Sequence, residues 1–132
     1  MKKLLNMFCF FVLIAAFVSC NSTLKGEAKV VLPEEMKILL KLDDVQLVDI
    51  RTPKEFKEGF IANAQNINFF SPSFDEDIKK LDKQKPIILY CRSGRRSAKC
   101  TKKLLEAGFM KIYDLDGGIE EWKHDGFSTN VK

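Results

Sequence analysis

The stretch ILYCRSGRRSAKC, residues 88–100, sets a cysteine at the end of an apolar run and three arginines within the next five positions. Residues of these types at this spacing suit nucleophilic thiol chemistry on an anionic substrate. Gly94 permits an unusual backbone turn, and Ser97 is expected to cap the helix that follows. Successive backbone N–H groups in such a turn can form a nest for an anion. The helix N-terminus adds about half a positive charge, and Arg92, Arg95 and Arg96 add full ones. Every one of these terms favours thiolate over thiol, and thiols so placed fall from about 8.5 into roughly the 3.5–7.5 range. Cys91 is thus the candidate nucleophile. Arg92, Ser93, Gly94, Arg95, Arg96 and Ser97 form the candidate binding loop. A lone cysteine after a strand is usually core, but a glycine and three arginines in the next five residues argue against that here.

Other chemistry-bearing residues are fewer. Asp49 and Arg51 stand at the end of another apolar run and either shape the pocket or form a structural pair, together with Glu55, at a strand-to-helix turn; the second reading is preferred. Cys100 could be a resolving thiol, but with Leu104 it makes an i, i+4 pair on the inner face of a helix, which favours core packing. Trp122 reads as core and His124 as surface. With one histidine in the chain and no CxxC pair, a tetrahedral metal site is not expected, and no cofactor is expected. The formal charge of +4 is halved when the leader, with Lys2 and Lys3, is set aside. No basic stripe interleaved with aromatics points to nucleic acid.

The elements that must hold this loop can be read along the chain. PEEMKILLKL, 33–42, carries proline and two acids at its start and Met36, Leu39 and Leu40 at helical spacing. A strand is expected over 46–50. Thr52 suits an N-cap, Pro53 the first helical position and Gly59 the end of a short helix. AQNINF reads as a short strand and 74–82 as an amphipathic helix with acids early and lysines late. PIILY, 86–90, is a continuous apolar run, as for a strand buried on both faces. A helix over 97–107, a strand over 109–115 and a last helix within 117–127 complete the pattern. Alternating strands and helices predict an α/β domain with a mostly parallel central sheet flanked by helices. Ligands of such sheets bind at the carboxyl ends of the strands, where Cys91 falls.

The front of the chain has another plan. Lys2 and Lys3 precede an apolar run from Leu4 to Val18, and small and polar residues follow. That is the layout of an export signal. At 1.5 Å per residue the run spans about 22 Å, short of a bilayer core of about 30 Å. AFVSC resembles a bacterial lipobox, with Cys20 as the lipidated first residue of the mature chain. The expected organisation is a signal peptide over 1–19, a lipidated N-terminus and polar tether over 20–32, and one domain over 33–132. This implies an exported protein, held by lipid to a bacterial membrane on its periplasmic or cell-surface side. With Cys9 leaving in the signal and Cys20 bearing lipid, Cys91 and Cys100 are too few for a disulfide scaffold.

Taken together, CRSGRRS, the segment LVDIRTPKEFKEGFIANAQNI (47–67) and the segment DGGIEEWKHDGF (116–127) resemble three ordered signatures of the rhodanese family. The resemblance covers 33–131. It implies a rhodanese-like fold and sulfurtransfer, with Cys91 carrying sulfane sulfur as a persulfide from a small anionic donor such as thiosulfate to cyanide or a thiol. The expected partners are these small molecules and the membrane, and the domain is expected to be a monomer. Phe60 stands where the family often has histidine, Asn63 where it often has glycine, and FSTN lacks a common proline. The rival readings are a non-catalytic persulfide carrier and, less favoured, a cysteine phosphatase or arsenate reductase. Those enzymes separate cysteine and arginine by five residues to seat a tetrahedral oxyanion, whereas four lie between Cys91 and Arg96.

Overall fold

The computed structural model describes residues 25–131. The export signal and Cys20 lie outside the described residues. Five strands and five helices alternate: β1 Glu27–Val31, α1 Pro33–Leu39, β2 Gln46–Asp49, α2 Pro53–Glu58, β3 Gln65–Asn66, α3 Phe74–Ile78, β4 Ile87–Tyr90, α4 Arg95–Glu106, β5 Lys111–Leu115 and α5 Gly118–His124. The strands make one sheet in the order β1-β5-β4-β2-β3. Every pair in it is parallel. All strands therefore end at the same edge.

β4 is the axis of this sheet. It pairs with β2 through Gln46↔Ile87 to Asp49↔Tyr90, and with β5 through Ile87↔Ile112 to Leu89↔Asp114. Its four residues are all buried. Successive side chains alternate between faces. Ile87, Leu89 and then Cys91 join the cluster formed with Phe74, Cys100 and Leu104. Ile88 and Tyr90 join the opposite cluster, with Met36, Ile119 and Trp122. The apolar run needed no alternation because both faces are covered by helices. Cys100 is 1 % exposed and Trp122 5 %. The indole N–H of Trp122 donates to the Ser128 carbonyl at 3.0 Å.

Local chemistry sets several boundaries. Thr52 and Glu55 form a reciprocal capping box at the start of α2, with Pro53 in the first turn and Gly59 at the C-cap. Helix α1 stops at Leu39 and α3 at Ile78, each short of its expected end at 42 and 82. Two differences matter more. The stretch 27–31, expected to be tether, is an edge strand pairing with all of β5. Only Val31 of the five is buried, so the segment lacks the alternation that marks a half-buried strand. Helix α4 begins at Arg95 rather than Ser97. Gly94, at φ 96°, is its N-cap, and Ser97 lies inside the first turn with no capping role.

The weight carried by β4 gives a direct test. Ile88 is fully buried, and truncating such a side chain costs about 2–5 kcal/mol. Ile88→Ala is expected to fall in that range in denaturant unfolding, while Ile38→Ala, at an exposed position, changes stability by less than about 0.5 kcal/mol.

Candidate active site

The site begins where β4 ends. Cys91 is 1 % exposed, and its sulfur is held by the loop that it starts. The Gly94 N–H donates to Sγ at 3.0 Å. This is possible because Gly94 turns the chain back in the left-handed region, where a side chain is disfavoured. The thiol donates to Ser97 Oγ at 3.6 Å, and the Ser97 hydroxyl donates to the Gly94 carbonyl at 3.1 Å. Ser97 thus braces the loop from within α4.

A second element closes the loop from the other side. The N–H groups of Ile119 and Glu120, in the first turn of α5, donate to the carbonyls of Cys91 at 2.9 Å and Arg92 at 3.1 Å. Gly117 and Gly118, both in the left-handed region, turn the chain into that helix. A Cβ on Gly118 would lie 2.5 Å from the Cys91 carbonyl oxygen and 2.6 Å from that of Arg92. Gly118 is there because two backbones touch.

The arginines divide into three roles. Arg96 forms a two-pronged ion pair with Glu55, at 2.8 and 2.6 Å, and its guanidinium lies over the Phe70 ring at 5.6 Å. Arg96 pulls the Glu55 carboxyl down to about 2, against the opposing effect of burial and with help from Thr52. Arg92 pairs with Glu120 at 2.6 Å through side chains that are both more than half exposed. Arg95 makes no ion pair among the described residues. Expecting three free cations in the loop was therefore too simple. Glu55 and Glu120 were not singled out for this, because each lies far in sequence from its arginine.

Asp49 and Arg51 form the structural pair expected, although Glu55 is not its third member. Arg51 Nε and Nη2 donate to the Asp49 carboxylate at 3.0 and 2.6 Å. Nη2 also donates to the Gly59 carbonyl at 2.6 Å, tying the end of β2 to the end of α2. Asn66 Nδ2 fastens the same turn to β3 by donating to the carbonyls of Asp49 and Arg51. Arg51, Glu55, Glu58, Arg92, Glu120 and Lys123 line a cleft of about 270 Å³ beside the loop. Ser93, Gly94 and Arg95 line another, of about 350 Å³.

These features define an α/β domain that presents a buried cysteine, with a backbone N–H on its sulfur, at the carboxyl edge of a parallel sheet. The chain belongs to the rhodanese-like family, whose domain description matches residues 32–125, and it is a rhodanese-like enzyme. It is 36 % identical over 85 residues to the thiosulfate sulfurtransferase GlpE of Coxiella burnetii, covering 64 % of this chain and 78 % of that protein. It is 34 % identical over 88 residues to a sulfurtransferase of Allochromatium vinosum, covering 67 % and 80 %. Among solved structures, a rhodanese-related protein of Thermoplasma volcanium superposes with a TM-score of 0.70 at 28 % identity, over 79 % of this chain and 99 % of that one. A rhodanese-like domain protein of Staphylococcus aureus gives 0.66 at 30 %, over 79 % and 98 %.

Two outcomes follow from this geometry. Gly118→Ala must push the loop backbone away. It is expected to lower sulfurtransfer kcat/KM by about tenfold or more while the far-ultraviolet circular dichroism stays that of the parent. The Glu55–Arg96 pair stabilises the fold fully above the ordinary carboxyl value of about 4.3, and its contribution is lost as pH falls through about 2. Glu55→Gln is thus expected to cost about 1–2 kcal/mol at pH 7, with the gap to the parent closing in acid unfolding below about pH 4.

Proposed function

We propose that the chain transfers sulfane sulfur from a small anionic donor such as thiosulfate to cyanide or a thiol through a persulfide on Cys91. The observation that carries this reading is the polar setting of Sγ: the Gly94 N–H donates to it at 3.0 Å, and the Ser97 hydroxyl, which accepts from the thiol at 3.6 Å, can turn its proton to a sulfur anion. These groups suit a sulfur anion, whether thiolate or persulfide. The loop between Cys91 and Arg96 is four residues long, which favours a sulfur atom over a tetrahedral oxyanion. The sulfurtransferase names of its relatives agree.

In the first half-reaction the thiolate attacks the outer sulfur of thiosulfate. A new S–S bond forms, the bond to the sulfonate sulfur breaks, and sulfite departs with that electron pair. In the second, cyanide or a thiolate attacks the persulfide, takes the outer sulfur and regenerates the Cys91 thiolate. The two steps give ping-pong kinetics. Arg95 is available to the donor at once. Arg92 is released cheaply, since exposed ion pairs are worth about 0–1 kcal/mol. Arg96 stays with Glu55 and holds the loop. We place the protein outside the cytoplasm, anchored through lipid on Cys20, a reading supported by the order of Lys2 and Lys3, the apolar run and the AFVSC sequence.

Intact mass spectrometry of the membrane-derived protein tests both parts. Thiosulfate is expected to add the mass of one sulfur atom at Cys91, and the N-terminal mass to carry lipid on Cys20. Cys91→Ser is expected to abolish thiocyanate formation; retained activity in that variant overturns the mechanism.

A further inference from the structure

Asp114 stands in an unusual place for a carboxylate. It is 6 % exposed and sits on β5 opposite Leu89 of β4. Side chains two residues apart share a face, so Asp114 shares the α4-facing side of the sheet with Ile112, Leu89 and Cys91. The other residues there are apolar or thiol: Cys100, Leu104 and Phe109 belong to the same cluster. Asp114 Oδ1 is buried and has no hydrogen-bond partner, a costly state for a polar atom. The carboxyl also borders the cleft of about 350 Å³ behind the loop, with Gly94 and Arg95.

The groups that face it come from each neighbouring element. Helix α4 supplies the Ser97 hydroxyl, the Cys100 thiol and, across the cleft, Arg95. The turn after β5 supplies Asp116, β4 leads to Cys91, and β1 supplies the apolar Val30. Burial pushes the carboxyl up to about 6, Ser97 opposes this, and the charge of Asp116 adds to it. The carboxyl therefore changes charge close to neutral pH.

We propose that Asp114 is a positioning residue that governs the protonation of Cys91 through Ser97. Ser97 has one proton and three nearby acceptors: the Gly94 carbonyl, the Cys91 sulfur and the Asp114 carboxylate. With the carboxylate ionised, Ser97 directs its proton away from sulfur and accepts from the thiol, as in the geometry seen. The carboxylate charge also opposes a second negative charge on Sγ. With the carboxyl protonated, its O–H donates to Ser97 Oγ and the Ser97 proton turns to the thiolate, a second donor beside the Gly94 N–H. The exchange balances as one proton passed along. The S–H bond breaks and an O–H forms on Ser97; the former Ser97 O–H breaks and an O–H forms on Asp114. No electrons change hands.

The inference rests on Cys91 as the reactive thiol of the proposed function, and its test does not need sulfur transfer. The measurement is the rate at which iodoacetamide alkylates the Cys91 peptide between roughly pH 5 and pH 9, read by mass spectrometry, for the parent, Asp114→Asn, Ser97→Ala and the double variant. Asp114→Asn is expected to speed alkylation near pH 7 by about threefold or more and to move the profile toward acid. Ser97→Ala is expected to slow it by about threefold and to reduce the effect of Asp114→Asn to less than about 1.5-fold. An unchanged profile in Asp114→Asn, or an Asp114→Asn effect of equal size with and without Ser97, overturns the proposal. Asp114→Ser, smaller and also neutral, repeats the test if the amide is not accommodated. Thiocyanate formation that survives in Cys91→Ser refutes the sulfur chemistry, an outcome separate from the alkylation result.

Discussion

β4 is hydrogen-bonded along both edges and buried on both faces, and this enclosure fixes the origin of the loop that follows it. A parallel strand held on four sides has no freedom to tilt or slip, because a one-residue slip would exchange its two faces. Ile87, Leu89 and Cys91 would then trade places with Ile88 and Tyr90, and the thiol would leave the face covered by α4. The position of Cys91 thus follows from packing along the whole strand rather than from contacts at the sulfur alone.

From that fixed point the loop is held by backbone more than by side chains. Gly94 bends it toward the sulfur, Ser97 braces it from α4, and the first amides of α5 hold its carbonyls. Side-chain pairs then join the surrounding elements. Glu55 links α2 to α4 through Arg96, and Arg51 links β2 to the end of α2 through Asp49 and Gly59. The buried Asp49–Arg51 pair neutralises Arg51 where it lines the cleft. The exposed Arg92–Glu120 pair leaves Arg92 easy to recruit. Burial therefore sorts the charges near the sulfur into those that build and those that can bind.

The carboxylates temper the positive field that the sequence suggests. Three arginines in five residues invite the picture of an uncompensated anion trap, yet two of the three meet a glutamate. Arg92 is held by an exposed pair, while Arg95 has no ion-pair partner among the described residues. Behind the loop, the buried carboxyl of Asp114 borders the cleft lined by Gly94 and Arg95.

Much of this was legible in the sequence. The apolar run of β4, the capping box of α2 and the glycine at position 94 are local signals, and each specified its element because the physics is local: burial pattern, cap chemistry and allowed φ. The alternation of strands and helices was enough for a parallel α/β sheet. β1 was not legible, because an edge strand with four exposed residues has no periodic pattern, and its identity lies in its pairing with β5. The start of α4 at Arg95 was missed because a serine two residues on looked like a cap, while the glycine already turned the chain. Glu55 on Arg96, Glu120 on Arg92 and Asp114 behind Ser97 lie 17 to 41 residues from the groups they meet. The sequence by itself determined the nucleophile candidate, the loop and the order of the elements. Only the tertiary structure decided which charges are spent on one another, because that depends on distances across the sheet edge that no local pattern encodes.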